Sequence, residues 1–112
     1  MFNDLNYFIS VPTSHPVNVS GFLNNSANLI VTWEPVPVDH RRGVILGYQV
    51  MYAAQSNGNQ QQLSVNAPSL SVKLQNLETY TLYNITVAAF NAAGQGPPSP
   101  AIVVRSQEGG KG

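Results

Sequence analysis

The chain has 112 residues, with five basic and five acidic side chains and no cysteine. This length suits one domain with a single two-layer core. The balanced charge argues against a nucleic-acid partner, and the lack of cysteine excludes disulfides and thiolate metal sites. Because only 9% of the residues are charged, the surface must be polar through amides and hydroxyls, as is typical of an extracellular module.

The first segment, residues 1–14, carries apolar residues without a clean period and runs into a Pro12-Thr-Ser-His-Pro16 stretch. We interpret it as a leader or linker. It lacks the basic start of a secretory signal, and no stretch reaches the roughly 20 apolar residues of a membrane helix. We therefore expect no direct membrane insertion, and we expect the chain to be a piece of a larger protein.

Alternation of apolar and polar residues predicts short strands along the rest of the first half. A first strand around Val17 and Val19 leads into a turn at 24–26. The second strand has its inward side chains at Leu29, Val31 and Trp33. A loop with prolines and polar residues follows at 35–43, because proline cannot donate to a strand ladder.

Apolar and polar residues also alternate in the second half of the chain. Asn57-Gly58 is a strong turn signal, and an amide-rich edge strand is expected around 63–65. A tyrosine corner is predicted at Tyr83, because Leu77 lies six residues ahead of it across a polar turn. The inward positions of the four main strands are predicted to be Tyr48, Val50 and Tyr52; Leu70, Val72 and Leu74; Tyr83, Ile85, Val87 and Ala89; and Ile102 and Val104.

In order along the chain, these motifs resemble a fibronectin type III domain. The resemblance rests on Trp33-Glu-Pro35, on the strand ending at Tyr52, and on a final set of residues: Leu77, Tyr83, Val87, Ala89, Asn91, Gly94 and Gly96. It implies an all-β fold, a seven-stranded antiparallel β-sandwich of immunoglobulin-like type. We expect the domain to span 15–107 and a flexible tail to follow at 108–112. The expected structural core is Trp33, Tyr48, Val50, Tyr52, Leu77, Tyr83 and Val87.

Residues that could carry chemistry are few and scattered. Hydrolytic catalysis needs a nucleophile, a base and an orienting group together, yet the only histidines are His15 and His40. Asp39 and His40 would supply only two ligands to a zinc ion, and zinc sites usually have four. We therefore predict no catalytic residue, no cofactor and no metal site.

Two surfaces are candidates for protein contact. At the loop end of the predicted sandwich, Arg41 and Arg42 would lie near Gln95. Side chains alternate between the two faces of a strand, and this alternation (parity) places Met51, Ala88, Phe90 and Val103 on the outer face of the second sheet. The alternative interpretations are solvated loops that only connect strands and scattered surface apolar residues.

Three Asn-X-Ser/Thr triplets are candidates for glycosylation, at Asn18, Asn24 and Asn84. We expect Asn18 and Asn84 to point outward from strands and Asn24 to lie in a loop, where an acceptor is more accessible. A sugar on Asn84 is expected to shield one end of the outer face and leave the end with Met51 and Phe90 open.

The resemblance implies a non-catalytic extracellular module of a larger cell-adhesion or receptor protein, acting as spacer and interaction domain. Its expected partners are neighbouring domains of the same chain and an unidentified protein ligand, and the isolated domain is expected to be monomeric. The alternative is an accessory spacer module of a secreted microbial carbohydrate-active enzyme.

Overall fold

Eight β-strands and one turn of 3-10 helix make up the part of the protein that the computed structural model describes, residues 10–24 and 28–106. Most of the predicted leader, the centre of the turn at 24–26, and residue 107 with the predicted tail lie outside these residues. The strands are β1 (Val17–Asn24), β2 (Asn28–Glu34), β3 (Gly47–Ala54), β4 (Gln60–Asn66), β5 (Ser71–Leu74), β6 (Leu82–Asn91), β7 (Gly94–Gln95) and β8 (Ile102–Arg105), and the 3-10 turn is Val38–His40.

The strands form two antiparallel sheets, so the predicted all-β sandwich is confirmed. One sheet has the order β1-β2-β5, and the other has the order β4-β3-β6 with β7 and β8 both paired to β6. The last strand of the expected seven is therefore divided in two. Pro97, Pro98 and Pro100 cannot donate to the ladder. Gly96, just before them, and Ser99, before Pro100, still donate their backbone N–H groups to β6.

The core lies between the sheets and is built by the alternation that the sequence shows. Leu29, Val31 and Trp33 of β2 are buried, as are the inward residues of β3 and β6. The Trp33 and Tyr48 rings pack across the sheets with centroids 5.3 Å apart. Of the seven residues expected in the core, Trp33, Tyr48, Val50, Tyr52, Tyr83 and Val87 are buried, and Leu77 is half-buried against them.

The tyrosine corner is present. The Tyr83 hydroxyl accepts a hydrogen bond from the backbone N–H of Glu78 at 2.8 Å, and its ring is buried. The neighbouring Ser106 closes the same end of the sandwich, because its hydroxyl accepts from the Thr81 N–H and donates to the Glu78 carbonyl.

The opposite end of the sandwich depends on one buried amide, that of Asn91. Its Nδ2 donates to the carbonyl oxygens of Ser10, Arg41 and Arg42 at 2.7, 3.0 and 3.1 Å. Its Oδ1 accepts from the backbone N–H groups of Ala93 and Gly94. A single side chain therefore joins the N-terminal segment, the loop between β2 and β3, and the turn after β6.

The segment 10–14 packs on the sandwich, although the sequence places it in a linker. Pro12 is fully buried, and Thr13 donates its N–H to the His40 carbonyl at 2.9 Å. Gly96 lies so close to Pro12 that a Cβ added to the glycine would come within 2.6 Å of the proline oxygen. The packed part of the chain thus begins before residue 15, because the prolines fill space beside the start of the last strand.

We predict that Asn91→Asp lowers the free energy of unfolding by about 2 kcal/mol or more at neutral pH, because the carboxylate would face three carbonyl oxygens without a proton to donate. Its folded pKa would then lie above the unfolded value of about 3.9, so the stability deficit should shrink as the pH falls toward that value. Urea unfolding at several pH values measures this.

Asn84→Asp is the matched control, since the exposed Asn84 side chain only accepts a hydrogen bond, from Gln55. We expect little change in stability and little pH dependence from it. Equal losses in the two variants would contradict the role assigned to Asn91.

Candidate protein-contact surfaces

The loop end brings the predicted contact residues to the same end of the fold but not to one surface. The hydrogen bonds of Asn91 hold the backbone of Arg41 and Arg42 beside the turn after β6. Gln95 is exposed in β7, where it pairs with Phe90. The two arginines line a cavity between the loop before β3 and the segment after β4, and Gln95 does not line it.

This cavity, which we call the arginine groove, combines apolar walls with positive charge. Its volume is about 650 Å³, and among the described residues Arg41 and Arg42 are the charged ones that line it. The other lining residues are Pro35, Val38, Gly43, Val44, Ile45, Tyr48, Ala67, Pro68 and Leu70. Val38 and Val44 remain 72% and 79% exposed, so apolar surface is available to a partner beside the two guanidinium groups.

The polar groups of the arginine groove are partly committed to the fold. Arg41 donates its Nε–H to the Val36 carbonyl at 2.7 Å, which fixes the side chain and leaves the outer guanidinium nitrogens for other contacts. Arg42 has a positive φ of 55° and an exposed side chain. Burial raises the pKa of the Tyr48 phenol, and the charge of Arg41 opposes that rise. The phenol is therefore neutral at physiological pH.

On the outer face of the larger sheet, the four residues predicted there do not form one apolar patch. Met51 lies opposite Thr86, whereas Phe90 lies opposite Gly47. A polar row separates them, because Gln49 donates to Gln62 at 2.7 Å and accepts from the Ser64 hydroxyl. Val103 is 53% exposed and lies opposite Asn84.

Two residues predicted to be exposed on this face are covered. Ala88 is fully buried, because its short side chain lies between Thr86 and Phe90 on its own strand and Gln49 on β3. Phe90 is half-buried, since its ring lies over Gly47, where an added Cβ would come within 2.7 Å of the ring. The parity assignment is right for both residues, but their exposure was overestimated because neighbouring side chains fill the face.

The three sequons differ in their surroundings. Asn18 is exposed, has a positive φ of 52° and lies where the register of β1 with β2 shifts. Asn24 is not in a loop as expected but is the last residue of β1, half-buried and paired with Asn28. Asn84 is exposed in the middle of the sheet, and its Oδ1 accepts from Gln55 at 2.9 Å. Met51 borders the same shallow depression as Asn84, so a sugar there would cover Met51 rather than leave it open.

Ionisable groups do not converge in the part of the chain that the structure describes. No group of three or more His, Cys, Asp or Glu residues there could hold a metal ion. The Nδ1 of His15 lies 2.7 Å from the Pro16 carbonyl, and that of His40 lies 2.9 Å from the Thr13 hydroxyl.

Within the residues that the structure describes, no helix has the length and apolar character needed to span a bilayer.

Comparisons with known proteins agree with this architecture. Protein sidekick-2 of Mus musculus is 42% identical over 101 residues, which cover 88% of this chain and 5% of that protein. The putative receptor-type tyrosine-protein phosphatase mosPTP-1 of Aedes aegypti is 28% identical over 108 residues, 90% of this chain and 8% of the phosphatase. The chain therefore spans only a small part of the length of these relatives.

Solved structures and a family model give the same assignment. The crystal structure of the chicken CNTN1 FN1-FN3 domains matches with a TM-score of 0.76 and 35% identity, covering 88% of this chain and 32% of that one. Residues 12–105 match the family model described as the fibronectin type III domain. The chain belongs to the fibronectin type III domain family.

Proposed function

We propose that this domain is a non-catalytic extracellular module of a larger cell-adhesion or receptor protein, in which it spaces its neighbours and contacts a protein ligand. The observation that carries the proposal is the match to sidekick-2, which covers nearly all of this chain but a small fraction of the relative. Proteins of such length can contain many modules of this size, and each module then contributes reach and surface.

The path of the chain supports the role of spacer. Ser10 is bound at Asn91, the last residue of β6, and Ser106 is bound at Thr81, just before β6 begins. Strand β6 has ten residues, which corresponds to about 30 Å of length. The chain therefore enters and leaves at opposite ends of the sandwich, as a module linked in series requires.

The same geometry could serve an accessory module of a secreted carbohydrate-active enzyme, but the relatives favour the receptor interpretation. One is a sidekick protein and another is named as a receptor-type phosphatase. In the phosphatase, this domain matches only 8% of the chain, which fits a non-catalytic role for it.

We expect deletion of this domain from a tandem of its natural neighbours to shorten the particle by about 30 Å, because the domain lies in series with them. Small-angle X-ray scattering of the tandem with and without the domain measures the maximum dimension. An unchanged dimension would contradict the spacer role, and a glycoside hydrolase domain in the full open reading frame would support the alternative.

The arginine groove is the surface we propose for the protein ligand. Two guanidinium groups stand beside exposed Val38 and Val44, and none of the carboxylates that the structure describes lines the groove. A segment that carries a carboxylate next to an apolar side chain would satisfy both features, because the charge and the apolar surface are complementary. Phe90 is less suitable as a contact residue, since its ring already covers Gly47.

We expect a short peptide with Asp beside Leu to shift the backbone NMR signals of Arg42, Val44 and Ala67 more than the matched peptide with Asn in place of Asp. Arg42→Gln should remove this difference. Arg105→Gln is the control, because Arg105 stacks on Tyr80 at the other end of the domain. Equal responses to the two peptides would rule out charge recognition in the groove.

The sequons supply a further test of the extracellular assignment. Asn18 and Asn84 are exposed whereas Asn24 is half-buried, and Asn18 in addition lies at the register shift between β1 and β2. We predict that protein secreted from animal cells carries sugar on Asn18, and that Asn18→Gln removes that mass in peptide mapping by mass spectrometry. Asn59→Gln, outside any sequon, is the control. Secreted material with Asn18, Asn24 and Asn84 all bare would contradict the prediction.

A further inference from the structure

The sheet edges of this sandwich are protected unequally. An exposed edge strand presents unpaired backbone groups to other strands, and proteins usually protect it by shortness, charge, proline or a bulge. In the described residues, β1 has a register shift after Val17, and β5 has four residues including Lys73. β7 has two residues and precedes the prolines, and β8 has four residues including Arg105.

Strand β4 has none of these protections. It has seven residues, Gln60–Asn66, with neither a charged residue nor a proline. It pairs residue by residue with β3 without a register shift, and no other described strand pairs with it. It is therefore the one long, regular and uncharged edge among the strands that the structure describes.

The direction of its free backbone groups follows from one hydrogen bond. Ala67 donates its N–H to the Leu46 carbonyl, and antiparallel pairs alternate between bonded and non-bonded. The backbone groups of Gln61, Leu63 and Val65 therefore face β3, and those of Gln60, Gln62 and Ser64 face outward. The N–H of Asn66 also faces outward, while its carbonyl accepts from Ser69.

We propose that β4 pairs antiparallel with β4 of a second copy of this chain, with Leu63 on the twofold axis. In this register Gln62 lies opposite Ser64 of the second copy, and Gln60 lies opposite its Asn66. All seven residues of each strand then lie opposite a residue of the other strand. The residues whose backbone groups face outward lie opposite one another, so these groups can form hydrogen bonds between the two strands. The two larger sheets become one continuous sheet.

Self-complementarity of the strand favours a second copy over a strand of another protein. No like charges meet in this register, because β4 has no charged side chain. Amide and hydroxyl groups of Gln62 and Ser64 face each other on the outer side, where they can hydrogen-bond. On the inner side the Leu63 side chains meet at a non-bonded pair, where side chains are closest.

The sandwich leaves room for such a pair. β1 lies beside β8 at one side of the fold, and the smaller sheet is one strand narrower than the row β8-β6-β3-β4. Strand β4 therefore projects beyond the smaller sheet. This explains why Leu63, on the same side of β4 as the core, is still 37% exposed. Pairing would cover that exposed part without bringing the two smaller sheets into collision.

The contact is small, so the isolated domain is monomeric in dilute solution and pairs with a dissociation constant on the order of 1 mM. Copies tethered side by side have a high effective concentration, which makes so weak a contact effective. This inference rests on the geometry of β4 and does not depend on the arginine groove.

Disulfide trapping in the full chain tests the pairing, because the chain has no cysteine of its own. Non-bonded antiparallel pairs have Cα atoms about 4.5 Å apart, within the range that a disulfide spans. Under mild oxidation at millimolar protein, Leu63→Cys should form a disulfide dimer roughly tenfold faster than Ser56→Cys, whose residue is exposed in a turn outside β4. Equal rates would overturn the proposal.

The register has its own test. An equal mixture of Gln62→Cys and Ser64→Cys should give the mixed dimer well above the share that random pairing of the two variants would give, since these two positions face each other. The double variant Gln62→Lys with Ser64→Lys should abolish self-association in sedimentation, whereas Gln62→Lys with Ser64→Glu should restore it. Near-native melting temperatures of both double variants establish that they are folded.

Other occupants of the edge give different results. A chain that stays monomeric at millimolar concentration, while an unrelated strand-forming peptide shifts the β4 NMR signals, would assign the edge to a foreign strand and overturn self-pairing. A statistical mixture of the three disulfide dimers would likewise reject the Leu63 axis.

Discussion

The fold depends on the backbone pairing of β6, which holds the larger sheet together. β6 pairs with β3 on one side and with β7 and β8 on the other, so both of its edges are used. Its inward side chains fill the core, and its two ends fix the two ends of the domain. Tyr83 near its start bonds to Glu78, and Asn91 at its end bonds to three carbonyl groups. A change in the register of β6 would therefore disturb the core, the loops and both chain ends together.

The parts of the structure that follow from local pattern could be predicted from the sequence. A period of two placed Leu29, Val31 and Trp33 inward, and a leucine, a turn and a tyrosine predicted the corner at Tyr83. The burial of Ala88 and the packing of Phe90 on Gly47 could not be predicted in this way. Both depend on which side chains meet across neighbouring strands. The alternation along a strand predicts only which face of the sheet a side chain lies on, and not how much of it is covered.

The candidate surfaces show the same division. The sequence indicated Arg41 and Arg42, because their loop was expected at the loop end of the sandwich, but it did not indicate the apolar walls beside them. Val38 gives a weak signal, because it is a valine inside the predicted loop at 35–43, and Val44 just after that loop gives none. Asn91 was part of the family resemblance, yet its role comes from partners up to 81 residues away in sequence. Hydrogen bonds over such separations leave no local pattern.

The divided last strand has a consequence for the size of any assembly. Its prolines interrupt the outer side of β6, and the chain's own Gly96 and Ser99 occupy the hydrogen-bonding positions that remain. The far edge of the larger sheet therefore consists of the two-residue β7 and the four-residue β8, which are too short to offer a long edge to another molecule. A sheet that can grow at one edge only stops after a single addition, because a twofold contact uses the same surface in both molecules. Association through β4 in this way ends with a pair of molecules.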